Sequence, residues 1–505
     1  MNKKLTLLLV YPDFLEEDKH NKNKLGNYSE GLASISAVLK AHEYNVALYH
    51  MLYMPPREEF LAKIAEYAPD VIGFTMRTTA MPFVSEFAGW LDDSEALRGI
   101  PVTVGGYHPT LVPDECIAIR GVDMAVIGEG EYPLLELMDS IRDGTNRTDI
   151  ESTYFKQADG SVIKNAVRPL IEDLDTLPFP DYELFDFENL DRSKNFTAMV
   201  MLSRGCLFAC TYCGNSQFRN VYPNKGKFTR FRSPKKAIEM LEGLLNKYPF
   251  IEYLEFRDSI FNTYEDWFYE FMPMYIEKIA LPFNCNLRFD ILTEDMVRLL
   301  KEGGCYMIDI GLETGNEEFR RKYLHRAMKN AHMVDVAKWF KKYKITTLTY
   351  NIVGLPHETI ELSLETVKLN AKLDVNKVIP NIFYPYPMTV LEKTARDGGF
   401  LDPCVDANDP VQLRMPQYPY YDILFMAYNF NKLVRQYRKI YALPESEAKK
   451  AELRLDRKIT SKSYPRKFLY KSAKLKEKLF IKAKKTLRRV SPKLFIFLKN
   501  RTNRR

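Results

Sequence analysis

Short apolar and β-branched runs alternate with helical patterns along most of this chain, in two separate series, and that alternation restricts the fold to parallel α/β architectures. The first series is TLLLVY, NVALYHM, DVIGFTM, PVTVGG and DMAVIG, between residues 5 and about 140, separated by helical segments such as GLASISAVLKAH and EEFLAKIAEYA. Five strands alternating with helices predict a doubly wound, flavodoxin-like (Rossmann-like) parallel sheet. A polar stretch from Asp143 to Gly160 and a proline-rich segment, LPFPDYELF, then read as a linker. The second series is AMVMLSRG, IEYLEFRD, FNCNLRF, YMIDIGLE, TLTYNIVG and KVIPNIFY, six βα units that predict a barrel or partial barrel. Beyond about Phe400 the alternation gives way to Pro- and Tyr-rich sequence, a helical stretch and a basic tail. The expected division is therefore 1–145 for the sheet domain, 146–195 for the linker, 196–400 for the partial (βα)6 barrel, and 401–505 for a mainly helical carboxyl-terminal region.

Three of the seven cysteines fall in SRGCLFACTYCGN, with C-x3-C-x2-C spacing just after a strand, while Cys116, Cys285, Cys305 and Cys404 are scattered. That is no disulfide framework. Three thiolates in one loop are soft ligands suited to zinc or to iron–sulfur. A structural zinc site would want a fourth Cys or His nearby, and none follows Cys213 until Cys285. A four-iron cluster held by three thiolates leaves one iron open for an exchangeable ligand.

The spacing resembles the signature of radical S-adenosylmethionine (radical SAM) enzymes, in which the open iron is chelated by S-adenosylmethionine and electron transfer cleaves it to a deoxyadenosyl radical. The resemblance implies that Cys206, Cys210 and Cys213 hold a four-iron four-sulfur cluster and that Tyr212 packs on the adenine. It covers about Ala198 to Gly399. Gly311-Leu312-Glu313-Thr314-Gly315 is similar to the family's GxExG stretch, which makes Glu313 a contact of S-adenosylmethionine. Asn351, in NIVGLP, looks like the adenine-contacting fifth strand. Arg288, ending the third strand, reads equally as a cofactor contact or a structural ion pair, and Arg257-Asp258 divide the same way. PYPMTVLE departs from the family's Pro-Gly-Thr by having Met388.

VGGYHPTLVPDE and VIGEGE, followed by the DLDTLPFPDY linker and then the cysteines, resemble the radical SAM enzymes with a cobalamin-binding domain. That group includes methyltransferases and the anaerobic magnesium-protoporphyrin monomethyl ester cyclase. The resemblance implies that Gly105, Gly106 and Gly128, at strand ends, approach cobalamin and that His108 contacts the corrin edge. A cobalt-ligating D-x-H-x-x-G is not present; Asp18-Lys19-His20 has Asn23 in the glycine position, and His20 reads as a solvated loop residue. Met76 and Arg77 end the third strand, where the resemblance admits them facing the lower side of cobalt, while Met76 reads first as a core residue.

Charge is unevenly spread. Of the net +7, Ser461 to Arg505 carries 17 Lys/Arg against one Glu, net +16, and the rest of the chain has 56 basic and 65 acidic residues, net −9. In the tail Leu475, Leu479, Ala483, Leu487, Val490 and Leu494 recur at helical spacing. The stripe suits peripheral contact with an anionic membrane, or a helix packed on the barrel with a solvated basic face; no nucleic-acid partner is expected, because no recognition fold accompanies the charge. No apolar run is long enough for a spanning helix or a signal-peptide core, so the expected setting is the cytoplasm, or the inner face of its membrane.

The function these features imply is radical cleavage of S-adenosylmethionine coupled to cobalamin-dependent methylation of an unactivated carbon, on a small-molecule or lipid-like substrate. The electron would come from a donor such as flavodoxin or ferredoxin. The same chemistry without methyl transfer, as cyclisation, oxidation or rearrangement, stays open, as does a non-enzymatic metal-binding or membrane-scaffold protein. A methylthiotransferase is disfavoured, since its amino-terminal domain would supply three more cysteines and only Cys116 is present there.

Overall fold

The computed structural model describes residues 4–402, 405 and 409–490. Cys404, Leu494 and the last fifteen residues lie outside that set. The chain forms two compact units, one of Met1–Asp309 with Tyr343–Ile345 and Tyr386–Glu392, the other of Ile310–Lys342, Thr346–Pro385 and Lys393–Arg505.

The first unit opens with a sheet of seven strands, β1 (Thr6–Pro12), β2 (Asn45–Met51), β3 (Val71–Thr75), β4 (Val102–Gly105), β5 (Met124–Val126), β6 (Thr153–Lys156) and β7 (Val162–Lys164), in the order β2-β1-β3-β4-β5-β6-β7. The neighbours among β1 to β5 are parallel, with Leu8 of β1 opposite Ala47 on one side and Ile72 on the other. Leu7 to Val10 are buried because helices cover both faces of such a sheet, which is why β1 reads as a continuous apolar run. The predicted doubly wound sheet is present with all five expected strands. The stretch read as polar linker differs: β6 and β7 pair antiparallel onto β5 and extend the sheet edge. Strands of three or four residues, two of them ending in Lys, carry too little periodicity to stand out.

The chain then enters β8 (Thr197–Val200), β9 (Ser203–Arg204), β10 (Arg230–Phe231), β11 (Tyr253–Phe256) and β12 (Phe283–Leu287). β8, β11 and β12 pair parallel, and β9 and β10 form a short antiparallel pair. Phe256, Phe261, Phe268, Phe271, Tyr275 and Phe283 interlock behind β11 and β12, all nearly inaccessible. Truncating one such ring to Ala would cost about 3–5 kcal/mol. β13 (Cys305–Glu313) carries the chain into the second unit.

In the second unit β14 (Thr346–Val353) and β15 (Lys377–Ile382) pair parallel, Asn351 opposite Pro380. The helices Glu317–Leu324 and Ile360–Lys372 start on Asn316 and Thr359, whose side chains accept from the backbone N–H groups of Phe319 and Leu362. Helices Tyr420–Tyr441, Glu445–Thr460 and Arg466–Val490 make the carboxyl-terminal region helical, as expected. Each of the six strands of the second sequence series is present, as β8, β11, β12, β13, β14 and β15. Among the described residues no helix is long and apolar enough to cross a membrane.

Candidate cofactor site

The order of the first sheet reverses between β1 and β3, and ligands of such sheets bind beyond the carboxyl ends of the strands at that switch. A cavity of about 310 Å³ opens there. Leu9, Gly73 to Thr75, Thr103, Gly105, Gly106, Val126 and Gly128 form its floor, and Met201 to Arg204 with Arg232 form the opposite wall. A side chain at Gly105 would reach only Val126, at 3.6 Å, and otherwise fill space the cavity now uses. The three glycines expected from sequence therefore line one cavity.

His108 does not line it. The imidazole is 4% exposed, with Nε2 3.8 Å from Glu115, and burial lowers its pKa. It lies two residues after the glycine pair, buried and off the cavity lining. Met76 is also buried, with its sulfur 3.9 Å from Cys116 Sγ, and Arg77 reaches the carbonyl of Pro12. His20 is exposed in a turn.

Two acids that sequence reading passed over connect this cavity to the cysteine loop. Glu129 and Glu131, which flank Gly130, both pair with Arg204, at 2.9 and 2.5 Å. Glu129 also pairs with Arg230 at 3.1 Å and accepts from the Ile171 N–H; Glu131, 3% exposed, accepts from Ser34 Oγ. The two arginines hold the Glu129 carboxyl below its usual range against the opposing effect of burial. Arg204 lies two residues before Cys206, so the end of β5 is clamped to the root of the cysteine loop. Acids alternating with glycines in VIGEGE were the available signal; their partner, some 70 positions away, was not. Glu30 lines the cavity too, and burial pushes its carboxyl up to about 7.

The cysteine loop leaves β9 through Gly205, whose φ is +80° and whose missing Cβ makes room for the Phe228 carbonyl. Cys210 is buried, Cys206 and Cys213 partly so, and Cys213 sits at the amino-terminal end of the helix Gly214–Val221. Arg219 donates to the carbonyl of Cys206. Arg288, 3% exposed, stacks 3.6 Å over the Phe208 ring, pairs with Asp290, and places Nη1 3.5 Å from Cys210 Sγ. The ion pair expected of Arg288 is thus present, and its guanidinium also lies inside the cysteine loop. Burial raises the Cys206 thiol, and the two arginines counter it. Tyr107, next to Gly106, reaches the far end of the loop. Its hydroxyl occupies the space a Cβ on Gly214 would take, at 1.4 Å, and its ring meets Phe218 and Tyr386.

Arg257 pairs with Glu255 and Asp309, and the buried Asp258 accepts from the Leu202 N–H and Ser203 Oγ with its pKa raised by burial to about 6. Asp258 supports the β8–β9 turn beneath the loop. Tyr212 is half-buried within it. In the second unit Glu313 takes φ +65° at the end of β13 and lies 3.7 Å from Arg326, while Asn351 is buried, bonded to Asn370 and to Thr349. Glu358 accepts from the N–H groups of Gly354 and Leu355, closing the NIVGLP turn.

The donor set fits an iron–sulfur cluster: three thiols on one loop with a buried guanidinium beside them. Among the described residues no three His, Cys, Asp or Glu side chains converge as one metal ion would require. A four-iron cluster asks each thiolate to bind a different iron. The glycine-lined cavity likewise fits a ligand that approaches the backbone closely.

The family model of the B12-binding domain matches residues 27–138, and that of the radical SAM superfamily matches residues 200–369. An uncharacterized methyltransferase of Pyrococcus horikoshii is 29% identical over 371 residues, 72% of this chain and 77% of the relative. The anaerobic magnesium-protoporphyrin IX monomethyl ester cyclase of Rubrivivax gelatinosus is 25% identical over 401 residues, 77% and 69% of the two chains. Among solved structures, the radical S-adenosylmethionine methyltransferase TsrM from Kitasatospora setae, with cobalamin and a [4Fe-4S] cluster bound, superposes with a TM-score of 0.63 at 16% identity, covering 83% of each chain, a likeness of fold. Fold and site together define a radical SAM enzyme carrying an amino-terminal B12-binding domain. The chain joins a B12-binding domain to a radical SAM domain, and the cofactors these two domains imply are a four-iron four-sulfur cluster, S-adenosylmethionine and cobalamin.

Proposed function

We propose that this enzyme methylates an unactivated carbon of a small or lipid-like substrate. The observation that carries the reading is the position of the glycine-lined cavity, walled on one side by the β8–β9 segment that leads into the cysteine loop. When bound, the cluster with S-adenosylmethionine supplies a radical able to remove a substrate hydrogen atom, and cobalamin supplies the methyl group. In this reading Cys206, Cys210 and Cys213 hold the cluster, Gly105, Gly106 and Gly128 admit the corrinoid, and Tyr212, Arg288, Glu313 and Asn351 hold S-adenosylmethionine. Residues 1–145 carry the cobalamin function and 196–400 the radical chemistry. Hydrogen abstraction needs no protein base; the side chains around the site exclude water and orient the substrate C–H. The setting is the cytoplasm, where a flavodoxin or ferredoxin delivers the electron.

A second reading, radical cyclisation or oxidation without methyl transfer, has one observation in its favour, the likeness to the Rubrivivax cyclase over 77% of this chain. The two are separated by incubating reconstituted enzyme, cobalamin and a reductant with S-adenosylmethionine labelled in its methyl group and a small-molecule extract. Methyl transfer gives deoxyadenosine and S-adenosylhomocysteine together, and a labelled product one CH2 heavier than its precursor. Deoxyadenosine alone, with an unlabelled product, refutes methylation and leaves the second reading. Neither nucleoside product refutes both.

A further inference from the structure

The helix Arg466–Val490 carries eleven Lys/Arg and a single acid, Glu477. Its first turns are seated on the second unit. Tyr470 is 7% exposed against the rings of Tyr421 and Tyr428, and Arg466 bonds Asp422 and the carbonyls of Ile459 and Ser461. From Leu475 to Phe480 every side chain is exposed. Among the described residues, four of the most exposed large apolar side chains lie on this helix: Phe468 at 70%, Leu475 at 59%, Leu479 at 58% and Phe480 at 69%. At about 100° per residue, Phe468, Leu475, Leu479 and the exposed Ala483 share one face, and Tyr470 points to the opposite one. The apolar stripe is therefore not what fastens the helix to the body.

A basic helix kept only for solubility would be polar on that face. What covers it must accept both exposed rings or aliphatic chains and a dense row of cations. A second copy of the helix would bring like charge against like charge. A nucleic-acid backbone would satisfy the lysines and leave the leucines and phenylalanines in water. An anionic bilayer satisfies both: the apolar stripe enters the headgroup boundary while lysine stems extend along it with their ammonium groups among lipid phosphates. Residues 1–460, the body of the chain, are net −9, so such a surface attracts the helix and repels the body, which orients the enzyme.

We propose that Arg466–Val490 is a membrane-docking helix for anionic lipid, with Phe468, Leu475 and Leu479 as its inserting residues and the exposed Phe480 flanking their stripe. The proposal stands apart from methyl transfer and holds or falls without it. The test is co-sedimentation of the full-length protein with vesicles of phosphatidylcholine alone or mixed with phosphatidylglycerol, at low and high salt. The expected result is binding to the anionic vesicles at least about ten-fold above the neutral ones, weakened by salt. Leu475→Asp/Leu479→Asp/Phe480→Asp should lower it by a similar factor while leaving the melting temperature and circular dichroism unchanged, since these side chains touch no core. Equal binding by the variant, equal binding to neutral vesicles, or none at all would overturn the proposal. So would a dimer in solution that the triple variant dissolves, or retention on duplex DNA without retention on vesicles.

Discussion

At the scale of single residues, the site depends on charges whose solvent has been replaced by particular partners. Arg288 is the clearest, a buried cation 3.5 Å from Cys210 Sγ, held by Asp290 and stacked on Phe208. A cation there favours the more negative, reduced state of a cluster. Arg288→Met should lower the cluster's reduction potential and slow deoxyadenosine formation roughly ten-fold, measured by potentiometric titration and product assay. Glu30 gives a pH-dependent prediction. Burial raises its folded pKa from 4.5 to about 7, so the unfolded chain loses that proton first, and stability falls as pH rises through this window, the full cost being present above it. Glu30→Gln should match the parent below the window and exceed it above by up to about 3 kcal/mol in urea unfolding. Met388 stands where the family has glycine, and its φ is +65°, the left-handed conformation glycine adopts freely. With its side chain 60% exposed, Met388→Gly should gain about 1 kcal/mol by relieving that backbone.

At the scale of elements, the junction between the first sheet and the cysteine loop rests on Arg204 between Glu129 and Glu131. Arg204→Met would leave Glu131, 3% exposed, with only the Ser34 hydroxyl, and should cost about 3 kcal/mol; adding Glu131→Gln should return part of it, a coupling that thermal or urea unfolding of the four proteins measures. The strands around this junction were legible in the sequence, because burial on both faces writes apolar runs and the strand-ending glycines follow them directly. The cysteine triplet was legible because all three thiols fall within eight positions. The clamp was not, since Arg204 and its acids meet only through the fold, nor was Tyr107 against Gly214. β6 and β7 were hidden by their brevity. His108, in a suggestive turn, is buried near Glu115 and off the cavity lining, a placement that only packing sets.

At the scale of the whole molecule, two cofactor environments are built into one chain, a cavity at the switch point of a doubly wound sheet and a three-cysteine loop at the start of a second strand series, and in the first unit they share a wall. Radical cleavage asks for one of them; methyl transfer asks for both. The direct test is anaerobic purification, reconstitution with iron, sulfide and cobalamin, and the absorption spectrum with bound-corrin stoichiometry, for the parent and for Cys206→Ala/Cys210→Ala/Cys213→Ala. Near one corrin per chain in both proteins, with cluster absorption in the parent and none in the variant, is the predicted result. A parent that assembles the cluster but releases all corrin on gel filtration would contradict cobalamin-dependent methyl transfer, and cluster absorption surviving in the variant would contradict the assignment of its ligands.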